Sequence, residues 1–258
     1  MIIPFNKYHG TGNDFIIIDN REAIFNPADS RLINSLCNRR FGIGADGLIL
    51  ITAKKDSDYE MRYYNSDGNE SSMCGNGGRC AADYALKSGI AGYRQKFLTF
   101  DGKHEAVISD GLIRLQMNDV PGFTTIDEGY FLNTGSPHYV KFITNLEDFD
   151  VYTEGKKLRS SAQFPGGGTN VNFVEVSDDG LFVRTYERGV EDETLSCGTG
   201  VTASAIASVL AGHFDRNIIN VRTRGGKLSV EFKISKGKIT DIWLSGPATF
   251  VFEGSIDV

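Results

Sequence analysis

Hydrophobic and polar residues alternate in short runs along most of this chain, and glycine ends most of the runs. Alternation with a period of two describes a strand with one face in a core. Residues 2–9 and 14–19 read as strands joined by a turn at Gly10 and Gly12, and Leu48–Thr52 and Tyr59–Asn65 as two more. Further strands are expected near Lys96–Phe100, Glu105–Ser109 and Leu112–Met117, the last two joined at Asp110-Gly111, a strong hairpin signal. The later part repeats the theme with Tyr130–Leu132, His138–Ile143, Asn170–Ser177, Leu181–Tyr186, Asn217–Thr223, Lys227–Ile234, Lys238–Leu244 and a short Phe250–Phe252. Helical spacing is rare. Pro27–Arg39 carries Leu32, Ile33, Leu36 and Cys37 on one face, with Asp29 or Ser30 as cap. Two Ala-rich segments complete the pattern, Ala81–Lys87 closed by Gly89, and a run from Cys197 to Ala211 closed by Gly212.

The two Ala-rich segments are echoes of one another. Cys74 and Cys197 lie 123 residues apart, and Tyr64 and Tyr186 lie 122 apart. Gly12-Asn13-Asp14 precedes Gly135-Ser136-Pro137 by 123, and Gly44-Ala45-Asp46 precedes Gly168-Thr169-Asn170 by 124. The chain is read as two copies of one unit. The expected fold is α+β: two pseudosymmetric domains, each a mainly antiparallel sheet curled around a central helix whose small alanines let it be enclosed. The first domain is expected over residues 1–118, completed by 248–258, and the second over 119–247, with the boundary near Pro121.

Composition narrows the function. A net charge of −6 and a pI near 5.3 argue against nucleic acid, which needs a basic face. No apolar run approaches a membrane span, and the first residues lack the charged and apolar regions of a signal peptide. The expectation is a soluble, cytoplasmic protein with no membrane partner. The four cysteines form no CxxC, and no histidine stands at zinc-like spacing beside them, so free thiols and no metal are expected.

Each of Cys74 and Cys197 precedes a Gly-rich helix start. The first N–H groups of a helix lack intrahelical partners and its dipole end is positive. Such a site favours a thiolate and also cradles an anion. Cys37 and Cys80 lack that setting and are read as small core residues. Taken alone, His138 suits a structural role as well as a functional one, and Asn13, Asn65 and Asn170 sit in turn-rich sequence where asparagine serves the backbone.

Several motifs carry a family resemblance: Gly10–Phe15 (GTGNDF), Gly44–Gly47 (GADG), Ser66–Arg79 (SDGNESSMCGNGGR), Gly135–His138 (GSPH), Thr169–Val174 (TNVNFV) and Glu187–Gly200 (ERGVEDETLSCGTG). Together, in order and over nearly the whole chain, they resemble diaminopimelate epimerase. The resemblance implies an amino-acid epimerase needing no cofactor, neither pyridoxal phosphate nor metal. It would invert one α-carbon of diaminopimelate between the LL and meso forms, for lysine and peptidoglycan precursor synthesis. It implies catalytic roles for Cys74 and Cys197. Substrate contacts would come from Asn13, Asn65, Gly75, Asn76, Asn170, Glu187, Arg188, Gly198 and Thr199, and His138 and Glu187 would tune the thiols. The partner is then a small amino-acid substrate, and a homodimer is the expected assembly. Three departures stand out. The family's usual glutamine after Gly-Ala-Asp is Gly47, its usual asparagine before Pro-His is Ser136, and the loop from Arg188 to Cys197 is one residue longer, at Val190–Glu193. Gly47 is expected to leave space that water or a neighbour fills, so that a glutamine there is tolerated.

The chemistry suits two thiols. An amino-acid α-proton is a poor acid, and inversion removes it on one face and returns one on the other. A thiolate base and a thiol acid meet that need, with help of about 10²–10⁴ per group. Amides at Gly75-Asn76 and Gly198-Thr199 are candidates to stabilise the enolate-like charge. Three other readings compete: a different two-cysteine racemase such as a proline racemase, a thiol redox protein cycling through a Cys74–Cys197 disulfide, and a non-catalytic amino-acid binding module.

Overall fold

The alternating runs form strands, some with one face buried and some, such as Gly47–Thr52 and Gly180–Glu187, buried on both faces, and each Ala-rich segment forms a helix buried on nearly all sides. The structure is a computed structural model and describes residues 2–164 and 166–258. In chain order the elements are β1 (Ile2–Gly10), β2 (Asn13–Asp19), α1 (Ser30–Cys37), β3 (Gly47–Thr52), β4 (Tyr59–Asn65), β5 (Glu70–Ser71), α2 (Gly75–Lys87), β6 (Arg94–Thr99), β7 (Gly102–Ser109) and β8 (Leu112–Gln116). The series resumes with β9 (Phe123–Ile126), β10 (Gly129–Asn133), β11 (Pro137–Phe142), α3 (Val151–Arg159), β12 (Asn170–Ser177), β13 (Gly180–Glu187), β14 (Asp192–Thr194), α4 (Gly198–Leu210), β15 (Ile218–Thr223), β16 (Gly226–Ser235), β17 (Lys238–Gly246) and β18 (Thr249–Asp257). The chain divides into one unit of Met1–Leu115 with Gly246–Val258, and another of Gln116–Ser245.

In the first unit the strands run β18-β1-β2-β3-β4-β6-β7-β8, with β5 also on β4. Neighbours are antiparallel except β2–β3 and β4–β6, which are parallel. The second unit repeats this order as β9-β10-β11-β12-β13-β15-β16-β17, with β14 on β13, and its parallel pairs are β11–β12 and β13–β15. The fold is therefore α+β and dominated by mainly antiparallel sheet. The register shows how closely the units correspond. Phe15 stands beside Gly47 across β2 and β3 as His138 stands beside Asn170 across β11 and β12. The repeat spacing at these strands is thus 123, and Asn170 corresponds to Gly47, not to Asp46 as the glycine motifs suggest.

Each central helix is enclosed because its residues are small. Along α2 every residue from Gly75 to Ala85 is buried, and α2 packs on β1, β2, β3, β4 and β7. A Cβ on Gly77 would come within 3.2 Å of Ile49 Cδ1, and one on Gly78 within 2.8 Å of Leu115 Cδ2, so glycine sets the helix-to-sheet distance. The buried hydroxyls of α4 are satisfied locally: Thr202 donates to Gly198 O at 2.9 Å and Ser204 to Gly200 O at 2.8 Å. Leaving such a group without a partner costs about 1–3 kcal/mol.

Two expectations for the helices need correction. The first central helix begins at Gly75, directly after Cys74, and so takes in the Gly-rich run before Ala81. The second unit also holds a short helix, α3, which the sequence reading left out. Its residues are mostly polar, and Gly155 interrupts them. That glycine is required, because a Cβ there would meet Tyr186 Cβ at 2.4 Å. Asp150 caps α3 through Thr153 N, as Asp29 caps α1 through Leu32 N.

Candidate active site

Cys74 is the N-cap of α2, with extended backbone angles of −87° and 124°. Gly78 N donates to its carbonyl at 2.7 Å, closing the first helical turn. The sulfur donates to Asn13 Oδ1 at 3.4 Å. Asn13 is oriented by its other contacts. Its Nδ2 donates to Asp46 Oδ2 at 2.7 Å, and its Oδ1 also accepts from Asn76 Nδ2 at 3.3 Å. Asn76 is turned by Arg79, whose Nη2 donates to Asn76 Oδ1 at 3.0 Å and to Thr11 Oγ1 at 3.3 Å. Arg79 Nη1 donates to Gly75 O at 3.0 Å and its Nε to Pro247 O at 3.3 Å. The guanidinium is wholly buried, which pulls its pKa below the ordinary value, while the negative charge of an ionised Cys74 or Cys80 opposes that shift. Close approach demands Gly10, where a Cβ would lie 2.8 Å from Asn76 O.

Gly47 and Asn65 face each other across β3 and β4 at the edge of this group. The space beside Gly47 is occupied: a Cβ there would lie 2.5 Å from Tyr63 Cε2, 3.0 Å from Tyr63 Oη and 2.5 Å from the Tyr64 carbonyl oxygen. Tyr63 thus covers the position from which the family's glutamine extends. The expectation that a neighbour fills this space is met by Tyr63; because one obstacle is backbone, a glutamine there is accommodated only if the structure shifts.

In the second unit Cys197 is the N-cap of α4, at −116° and 112°, and Val201 N donates to its carbonyl at 2.8 Å. Its sulfur lies 3.4 Å from Thr199 Oγ1. Thr199 Oγ1 lies 2.9 Å from His138 Nε2, and Ser136 Oγ lies 3.0 Å from the same nitrogen. Behind the imidazole, Asn172 Nδ2 lies 3.0 Å from His138 Nδ1. Asn170 joins the same network: Nδ2 donates to Ser136 Oγ at 3.2 Å and to Pro137 O at 2.9 Å, while Oδ1 accepts from Arg188 N at 2.8 Å. Glu187 Oε2 accepts from Thr194 Oγ1 at 3.0 Å, and Arg188 Nη1 donates to Gly168 O at 3.4 Å. Complete burial, the dominant cause, pushes the His138 pKa down from 6.5 to about 3, and the Arg188 charge acts in the same direction. Burial decides the outcome, so His138 is neutral at ordinary pH.

The predicted site residues therefore form two groups, one in each unit. Asn13, Cys74, Gly75 and Asn76 are joined in the first, with Asn65 at its edge. His138, Asn170, Arg188, Cys197 and Thr199 are joined in the second, where Gly198 opens the helix and Glu187 ends β13. Sequence reasoning missed Asp46, Arg79, Asn172 and Thr185, which orient these residues from behind. Asp46, Arg79 and Asn172 lie inside the quoted motifs, but nothing in a motif says which members point inward. The other two cysteines stay out of both groups. Burial pushes the Cys37 thiol up to about 12, and it pushes Cys80 up as well. Among the described residues no group of three or more His, Cys, Asp or Glu is placed to hold a metal ion, and no helix is long and apolar enough to cross a membrane.

The fold has known counterparts. A PhzF-family phenazine biosynthesis protein from Bacillus anthracis superposes with a TM-score of 0.79 at 14% identity, each chain fully covered. A hydroxyproline epimerase from Agrobacterium vitis, solved with bound trans-4-hydroxy-L-proline, superposes at 0.76 and 12% identity over 99% of this chain and 92% of that one. At such identities the likeness is one of fold, and the fold is that of a group containing racemases, epimerases and isomerases. Sequence narrows the group to one family. The family model described as diaminopimelate epimerase matches residues 5–119 and 130–251. The diaminopimelate epimerase of Flavobacterium psychrophilum is 52% identical over 97% of this chain and 98% of its own length. That of Chlorobaculum tepidum is 42% identical over 96% and 98%. The chain belongs to the diaminopimelate epimerase family and is an amino-acid epimerase.

Proposed function

We propose that this chain inverts LL-2,6-diaminopimelate to meso-diaminopimelate without a cofactor, using Cys74 and Cys197 as its acid and base. One observation carries the reading: cysteines at equivalent positions of a duplicated fold, each the N-cap of a buried central helix and each hydrogen-bonded to polar side chains. One thiolate removes the α-proton, and the electron pair moves into the carboxylate as an enolate-like anion. The other thiol delivers its proton to the opposite face. The two sulfurs thereby exchange protonation states, so their titration belongs to the pair. Amides of Gly75-Asn76 and Gly198-Thr199 stabilise the developing charge, a term worth about 3–4 kcal/mol per donor in measured oxyanion holes. Asn13, Asn65, Asn170, Glu187 and Arg188 bind the rest of the substrate, with Arg188 meeting the distal carboxylate.

The role we assign is a cytoplasmic step of lysine and peptidoglycan precursor synthesis, carried out by a homodimer. The deciding experiment is inversion of LL-diaminopimelate in deuterated water, stopped early and resolved by chiral chromatography. Deuterium is expected in the product at the inverted carbon, with recovered substrate nearly unlabelled. Early labelling of recovered substrate, or product retaining its protium, would overturn the two-thiol assignment. A purified protein that leaves the LL isomer unchanged would overturn the substrate.

A further inference from the structure

Hydrogen-bond direction around His138 is determined by groups that never reach the Cys197 sulfur. Asn172 is fully buried on β12, and its amide can be oriented from its neighbours alone. The Tyr139 carbonyl can only accept, and it lies 3.1 Å from Asn172 Nδ2. Thr185 Oγ1 donates to Asn172 Oδ1 at 2.9 Å. The amide nitrogen is therefore the atom facing His138 Nδ1. An amide nitrogen only donates, so Nδ1 must accept. A neutral imidazole then carries its single proton on Nε2.

That proton decides what Thr199 can do. His138 Nε2 is a donor shared between Thr199 Oγ1 and Ser136 Oγ, so neither hydroxyl can spend its own proton on the ring. A hydroxyl has two acceptor positions. Those of Ser136 are taken by His138 Nε2 and Asn170 Nδ2. Thr199 is left to donate to its remaining neighbour, Cys197 Sγ. A hydrogen bond donated to the charged form of a group favours that form, here the thiolate.

We infer that Asn172 is a positioning residue for Cys197: by holding His138 in the Nε2–H tautomer it turns the Thr199 hydroxyl proton onto the sulfur. The inference rests on the thiol-pair reading above, although its first link, the tautomer, is independent of any reaction. The first unit lacks the device. Phe15 and Ile49 occupy the strand positions of His138 and Asn172, and Gly77 packs on that apolar pair as Gly200 packs on the polar one.

The test compares the parent with Asn172→Leu and Thr185→Val, using ¹⁵N-labelled histidine and NMR at neutral pH, with His138→Gln to assign the signal. The parent should show His138 protonated on Nε2. In Asn172→Leu that pattern should give way to a mixture of tautomers. Its kcat on LL-diaminopimelate should fall about 10- to 100-fold, the scale of a lost hydrogen bond to a charged group, with KM nearly unchanged. Thr185→Val, which only loosens the amide, should move both readouts in the same direction by less, and it stands in if the leucine variant does not fold. A parent His138 protonated on Nδ1 would overturn the inference. So would variants that lose thermal stability while keeping tautomer and kcat. A parent inactive on LL-diaminopimelate defeats the proposed substrate instead, and the NMR comparison still decides the tautomer.

Discussion

The two helix starts share a backbone and differ in how they treat the thiol. Gly75 O accepts from the Arg79 guanidinium, and Gly198 O, 123 residues later, accepts from the Thr202 hydroxyl. Around Cys74 the polar device is a buried cation that reaches the sulfur's neighbours through Asn76. Around Cys197 it is a neutral imidazole acting through Thr199. Where one unit carries its device, the other carries an ordinary residue: Thr202 answers Arg79, and Phe15 answers His138. The duplication kept the strand register and the helix start, because these determine whether the core closes. It left the side chains behind the thiols free to diverge, since each needs only local hydrogen-bond satisfaction.

Removing either thiol should cost most. Cys74→Ala and Cys197→Ala should each lower kcat by about 10²–10⁴ or more, the scale of a lost acid or base, while circular dichroism shows an intact fold. A variant retaining near-parental activity would end the comparison, because one unit would then be idle.

The next effect is on stability and belongs to the second unit. An unfolded His138 takes up a proton as pH falls through 6.5, whereas the folded one resists until about 3. The stability from its burial is complete above pH 6.5 and is lost as pH falls, at up to about 1.4 kcal/mol per pH unit. Carboxyls add their share only lower. Burial raises Asp14, but hydrogen bonds from Arg39 and Lys7 outweigh it and hold the group below its usual 3.8. Denaturant titrations between pH 6.5 and 4 should therefore show a one-proton slope that disappears in His138→Gln. An unchanged slope in that variant would place the titrating group elsewhere.

Thr199→Val should lower kcat about 10- to 100-fold, because the sulfur loses its donor, and Thr199→Ser should restore most of it. Equal loss in both variants would mean that the methyl group, not the hydroxyl, matters. Smallest is Gly47→Gln. Crowding against Tyr63 and the Tyr64 carbonyl should cost about 1–3 kcal/mol, seen as a lower Tm, and should not improve substrate binding.

Much of the fold was legible because its signals are local. Alternation marked β4, and Asp110-Gly111 marked the β7–β8 hairpin, where both residues take positive φ, 52° and 75°. The glycine and cysteine spacings revealed the duplication before any strand was paired. Less legible was α3, whose polar composition and internal Gly155 are explained only by the Tyr186 side chain packed against it.

By itself the sequence singled out the two candidate thiols. A cysteine followed by small residues and then a helix has few ways to fold other than as an N-cap, and two such segments at a common spacing imply two related units. Only the tertiary structure decided which groups orient those atoms. Asp46 comes from the turn before β3, Asn172 and Thr185 from β12 and β13, and Arg79 from the helix that Cys74 caps, and their effect depends on which of two amide atoms or two ring nitrogens faces a neighbour. Burial makes those directions binding, because an amide or imidazole removed from water must find its partners among the atoms around it.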